Sequence, residues 1–172
     1  MLYNLDPGLA QTDPVKAKEA LHNALEISEA TCLFTQDVGS DVNYTKLVKE
    51  VIPETRIFNF ADGMPFFTPR YPNLRFPIHT GFDQVGKEGM LLLKHMLVPS
   101  GELSNLLEAS NAGPLDGSTP LLGEFVLDKD GIPQEKGTLH SNDTVIKENV
   151  WPELKSILAK EYTEVDGVGV VF

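Results

Sequence analysis

Apolar residues recur at three- and four-residue spacing from Val15 through Ala17, Leu21, Ala24 and Leu25 to Ile27, a pattern that predicts an amphipathic helix ending near Ala30. Thr12 or Asp13 is placed to cap it, and Pro14 fills the first helical position, where a missing N–H costs nothing. Thr31-Cys32-Leu33-Phe34-Thr35 follows as a short strand of β-formers, with Cys32 read as a small core residue. Asp37-Val38-Gly39-Ser40-Asp41 turns the chain into a second helix, which carries Tyr44, Leu47, Val48 and Val51 on one side and stops at Pro53. The alternation from Thr55 to Phe60, with Ile57 out of step, predicts a second strand.

Between Asp62 and Thr80 the periodicity disappears. Four prolines and two aromatic patches there predict an extended, stiff surface segment. A third helix is expected from Asp83 to about Leu97, where Val85, Met90, Leu91, Leu93, Met96 and Leu97 form a broad apolar band despite Gly86 and Gly89. A shorter helix is expected from Glu102 to Ala109, and 111–118 reads as a linker. Beyond it, Gly123-Glu124-Phe125-Val126-Leu127 predicts a strand and Asp130-Gly131 a hairpin turn, with Pro133 confining the return strand to an edge. A last helix opening at Asn149 or Trp151 and a terminal apolar strand, Gly167 to Phe172, complete the pattern. The expected class is α+β: several short helices, short strands, a β-hairpin and a long proline-rich surface segment. A soft boundary near 118 divides a helical α+β region (1–118, with an arm at 62–80) from a small hairpin-helix-strand region (119–172), the two together being short enough for one compact domain.

Composition narrows the function. A length of 172 residues suits one core. Fourteen Lys/Arg against 25 Asp/Glu give a net charge of −11, which argues against nucleic-acid binding through a general basic surface. No apolar run approaches the ~20 residues that span a bilayer, and the opening residues lack a signal-peptide pattern. The single cysteine, Cys32, excludes an internal disulfide and a cysteine-only zinc site.

Motifs that carry chemistry are sparse. His22, His79, His95 and His140 show no spacing that would put two metal ligands on one face. Asp128-Lys129-Asp130-Gly131 places its glycine one ligand too early for a calcium loop, so it reads as a turn. No nucleophile elbow and no phosphate-binding glycine loop is present. Neither metal nor cofactor is expected. The acid Asp62 and the base His79 are the one pair that could act as catalytic base and orienter if a pocket joined them. Met64 to Pro72 is the most unusual composition in the chain: a proline-stiffened backbone presenting aromatic groups loses little entropy on docking, so Phe66, Phe67, Arg70 and Tyr71 are candidate partner contacts, with Val170 and Phe172 at the apolar terminus. The same segment also suits a loop covering the core. Trp151, before Pro152 and Leu154, is expected to anchor packing at a helix start.

Gly123-Glu124-Phe125, Pro133, Gly137-Thr138-Leu139, Asn142, Trp151-Pro152-Glu153-Leu154 and Ile157-Leu158 together resemble the phage tail-collar domain of short tail fibres. The resemblance covers about 50 residues. Thr138 stands where that family has tryptophan and Asp143 where it has glycine, and the family's following Leu-Pro-Asp-Leu-Arg-Gly segment is missing. It implies a non-enzymatic structural component of a tail, fibre, baseplate or collar assembly, located in the virion and acting through protein contacts as a homo-oligomer or assembly subunit. A second reading is a small NTF2-like α+β enzyme or ligand-binding protein, and a third is an acidic inhibitor or immunity protein steered to a basic target. Outside the virion reading the expected location is cytoplasmic.

Overall fold

A computed structural model describes residues 3, 5, 8–37, 42–96 and 116–147, with the side chains of 146 and 147 left aside. These residues form two compact units, one of 5, 8–37, 42–96 and 125–137, the other of Tyr3, 116–124 and 138–147. The chain is α+β, with helices, a parallel sheet and a hairpin.

In the larger unit α1 (Gly8–Thr12) leads into α2 (Pro14–Ser28). The Asp13 carboxylate accepts the N–H groups of Val15 and Lys16 at 3.1 and 3.2 Å, satisfying two donors that the helix cannot pair itself. Ala17, Ala20, Leu21, Ala24 and Leu25 form the buried stripe of α2, while Val15 faces solvent. Strand β1 (Cys32–Thr35) is followed by α3 (Tyr44–Val51), capped by Asn43, whose side chain accepts the Lys46 N–H at 2.8 Å. The chain returns as β2 (Phe76–His79), and β3 (Leu91–Leu92) completes a parallel sheet ordered β1-β2-β3. Helix α3 is therefore the crossover of a β-α-β unit. Leu21 and Leu25 of α2 meet Val48, Val51 and Ile52 in a core with Phe66, Tyr71, Leu74 and Met90, and Leu33 of β1 packs against it.

Three sequence expectations change here. Residues 55–60 are not a strand: Pro53–Arg56 and Phe60–Asp62 are 3-10 turns, held by the Thr55 hydroxyl donating to the Ile52 carbonyl at 2.7 Å and by the Asn59 side chain accepting the Ala61 N–H at 3.0 Å. The proline-rich stretch hides β2, the central strand of the sheet. Pro77 is tolerated there because Phe76 and Thr80 donate to Thr31 and Thr35 on the β1 side, so position 77 faces the β3 side, and β3 begins only opposite Ile78. The helix expected from Asp83 is instead a series of turns ending in β3 and the short α4 (Leu93–Met96). Gly86 has φ 68°, and a Cβ at Gly89 would stand 2.0 Å from the Thr55 carbonyl oxygen. The chain needs a left-handed residue at the first position and none but glycine at the second.

Strands β4 (Pro120–Leu127) and β5 (Pro133–Ser141) form a two-stranded hairpin. Its loop is a turn closed by Gly131 N–H to the Asp128 carbonyl at 3.1 Å, with Gly131 at φ 81°, the three-residue form in which a left-handed glycine follows a type I turn. The Asp128 carboxylate also accepts the N–H groups of Asp130 and Ile132, which holds its pKa below the usual carboxylate range. Pro133 occupies the first position of β5, as an edge strand allows. Helix α5 (Asn142–Lys147) follows, its N-terminus capped by Ser141 Oγ, which accepts the Thr144 N–H at 3.3 Å. The expected helix at 102–109, the helix from Trp151 and the terminal strand 167–172 lie outside the described residues.

Candidate functional site

Open parallel sheets present ligand sites beyond the carboxyl ends of their strands. There the chain gathers Asp37 after β1, His79 at the end of β2, and Gly81, Asp83, Gln84 and Lys87 beyond it. His79 is fully buried. Its Nδ1 accepts the Gly81 N–H at 3.2 Å, which leaves the proton on Nε2 to be donated to Gln84 Oε1 at 3.2 Å. The Gln84 amide in turn donates to the carbonyls of Lys87 and Met90. Burial lowers the His79 pKa, favouring the neutral ring that these bonds require. Lys87 bonds Asp37 at 2.6 Å and Asp83 at 3.4 Å; burial works against its charge, but the bond and charge of Asp37 outweigh burial and its pKa is raised. Gly81 leaves room for this pair, since a Cβ there would lie 2.4 Å from Asp37 Oδ2. Each polar group of the cluster is committed to another. Asp62 lies exposed on the second 3-10 turn, and both ring nitrogens of His79 are taken without it. The Asp62–His79 pair makes no direct hydrogen bond.

At the opposite end of the sheet a cleft of about 270 Å³ is lined by Leu25, Glu26, Glu29 and Ala30 on one side and by the stretch from Arg70 to Leu74 on the other. Ala30 lies two residues before β1 and Leu74 two before β2, which fixes the cleft at their amino ends. The Tyr71 hydroxyl meets His22 Nδ1 at 2.7 Å, and His22 Nε2 lies 3.6 Å from Glu26. Burial pushes the Tyr71 pKa up to about 12, so this chain of groups holds a protonated phenol in place. Arg70 reaches Glu54 at 3.8 Å and Glu29 reaches Lys136 at 4.0 Å, both pairs exposed enough to be weak.

The aromatic arm divides between core and surface. Phe66 is fully buried and packs edge-on to Phe58, with ring centroids 5.1 Å apart, and Tyr71 is in the same core. Phe66 offers no surface to a partner, because Phe58 and Phe60 of the turns at 53–62 pack on its ring, whereas Tyr71, packed edge-on to His22, presents itself only to the cleft that it lines. Phe67, Met64 and Arg70 are exposed. Val170 and Phe172 lie outside the described residues.

Sequence reading missed the surface that β1 and β2 make together. Registered residues of parallel strands share a face, so Leu33 with Pro77 and Thr35 with His79 face the helices, while Cys32 with Phe76 and Phe34 with Ile78 face away. At the β1 end this outer face is open: Phe34 is 56% and Phe76 42% exposed, and Cys32 is exposed and not a core residue. Ile57, Phe82 and Val85 are further exposed apolar residues of the same unit. The unbroken apolar run Cys32-Leu33-Phe34, which puts apolar side chains on both faces of the strand, is the signal for this face, but its neighbour β2 is concealed by Pro77.

In the smaller unit His140 Nε2 lies 2.9 Å from Glu124. Of the collar-like residues, Gly123 is in β4, Pro133 and Gly137 to Leu139 are in β5 and Asn142 opens α5; those from Trp151 onward lie outside the described residues. Among the described residues no group of three His, Cys, Asp or Glu side chains could hold a metal ion, and no helix is long and apolar enough to cross a membrane. Comparison with protein-family models, curated proteins and solved structures finds no match for the chain.

Proposed function

We propose that the chain is a non-enzymatic interaction protein that works as a subunit of a larger assembly. The resemblance of 123–172 to tail-collar domains implies a phage tail or fibre attachment structure as that assembly, and the virion as its location. The observation that supports the reading best is the outer face at β1 and Phe76, which is open although Ile78 on the same face is fully buried. Parallel sheets are ordinarily covered on both faces, because each face is apolar. Here helices cover one face, and Phe34 and Phe76 remain half exposed on the other, the condition in which an apolar patch marks a contact surface. His79, Gln84, Asp37 and Lys87, at the strand ends, are paired with one another or with backbone groups among the described residues.

The test is binding of the uncharged dye Nile red, chosen because an anionic dye would be repelled by a chain of charge −11. The wild-type chain is expected to enhance its fluorescence, and F34S/F76S to lose most of that enhancement while unfolding within a few degrees of wild type. A wild-type chain that neither binds dye nor associates at high micromolar concentration by light scattering would overturn the reading.

A further inference from the structure

Strand β1 is the edge of its sheet. The Thr31 and Thr35 carbonyls accept N–H groups from the β2 side, and residues of a parallel ladder alternate in direction. The N–H and C=O groups of Cys32 and Phe34 therefore point outward, and among the described residues no strand pairs with them. An unpaired edge of this kind is a template for another strand unless it is blocked by charge, proline or a bulge. Cys-Leu-Phe-Thr carries none of these.

We infer that the β1 edge and the adjoining cleft take an extended segment of a basic partner protein, which adds a strand beside Cys32–Thr35, lays apolar side chains on Phe34 and Phe76, and places a lysine or arginine side chain in the cleft beside Glu26 and Glu29. This rests on the interaction reading above and gives the partner its form and chemistry. Form follows from the edge: main-chain bonds supply affinity and alternate side chains supply specificity in strand addition. Chemistry follows from charge. The cleft lies where β1 begins, so a strand running past Cys32 reaches it within two residues, about 7 Å of extended chain. Glu26 and Glu29 line it beside the carbonyl end of α2, which favours a cation, and the one cation of the lining, Arg70, is paired with Glu54, so carboxylates remain in excess. A second copy of the chain brings another −11 charges and is opposed by the same field that attracts a basic segment.

The experiment titrates the full chain with a ten-residue peptide of alternating valine and lysine, and with two controls. One replaces lysine by glutamate; the other carries N-methyl groups along the edge that would pair. The readout is amide hydrogen exchange by NMR, together with the dissociation constant. The lysine peptide is expected to slow exchange at Cys32 and Phe34 and to leave Leu33, already turned toward β2, unchanged. N-methylation and the E26Q/E29Q variant are each expected to weaken binding about tenfold, and the glutamate peptide not to bind. Unchanged exchange at Cys32 and Phe34, equal binding of the glutamate peptide, or a dimer that protects the two amides without peptide would overturn the inference. Dye binding separates the two failures: a chain that loses Nile red enhancement in F34S/F76S but ignores the lysine peptide refutes the strand-adding partner alone, whereas absence of both effects refutes the interaction reading with it.

Discussion

His79 shows how a single residue can carry the right chemistry for a site and be used for structure. Its ring is buried and neutral, bonded on both sides within five residues of chain. A buried histidine with a lowered pKa binds fewer protons folded than unfolded, so stability rises with pH between the folded value and the unfolded value of ~6.5. The contribution is complete above the unfolded value and is lost as pH falls from there through the folded one. Urea midpoints measured from neutral pH downward are expected to decline across that interval, with the His79 imidazole resonances remaining those of the neutral ring below the range of a free imidazole. Gly89 makes a sharper test of geometry. Gly89→Ala sets a methyl group against the Thr55 carbonyl, which belongs to backbone and cannot rotate away, and should cost about 3 kcal/mol in chemical denaturation. His79 was legible in the sequence as a notable residue. Its partners were not, because Gly81 and Gln84 act from turns in a stretch whose apolar spacing imitates a helix.

Elements with their own local signals were legible, and those defined by a distant partner were not. Helix α2 follows from its stripe, from Pro14 and from Asp13, and the hairpin follows from Asp130-Gly131. Asp13→Ala is expected to lower stability by about 1 kcal/mol through the lost cap, read as a shift in the thermal midpoint. At the other end of α2, Glu29 adopts φ 54°, a left-handed conformation that glycine holds without steric cost. Glu29→Gly should therefore stabilise the fold by about 0.5–1 kcal/mol while weakening cation binding in the cleft, so that stability and binding move in opposite directions in one variant. Strand β2 escaped notice because it needs β1 to exist: Phe-Pro-Ile-His has no alternation of its own and contains a residue that argues against a central strand. Only the shortness of β3 makes Pro77 acceptable, and that shortness is a tertiary fact. The strand expected at 55–60 failed for the converse reason. Its alternation is real, but Pro53, Thr55 and Asn59 supply local bonds that close turns before any neighbour can pair.

For the whole molecule, the acidic balance and the open sheet face act together. On the proposed reading, charge keeps copies apart and draws a basic partner, while the apolar face gives that partner something to bury. Light scattering at rising ionic strength is expected to show more self-association, because screening removes the repulsion between copies and leaves the apolar attraction. The claim on which the functional account depends is that the outer face of β1 is open in the free protein. Cys32, the single cysteine of the chain, stands on that face in register with Phe76 and reports on it directly. The measurement is the rate at which a bulky thiol reagent modifies Cys32 in the native chain, compared with the rate in urea. An open face predicts native modification within about tenfold of the unfolded rate, since no opening step precedes reaction. Modification slowed by several orders of magnitude, to a rate that tracks global unfolding, would mean that the face is covered and would contradict the account.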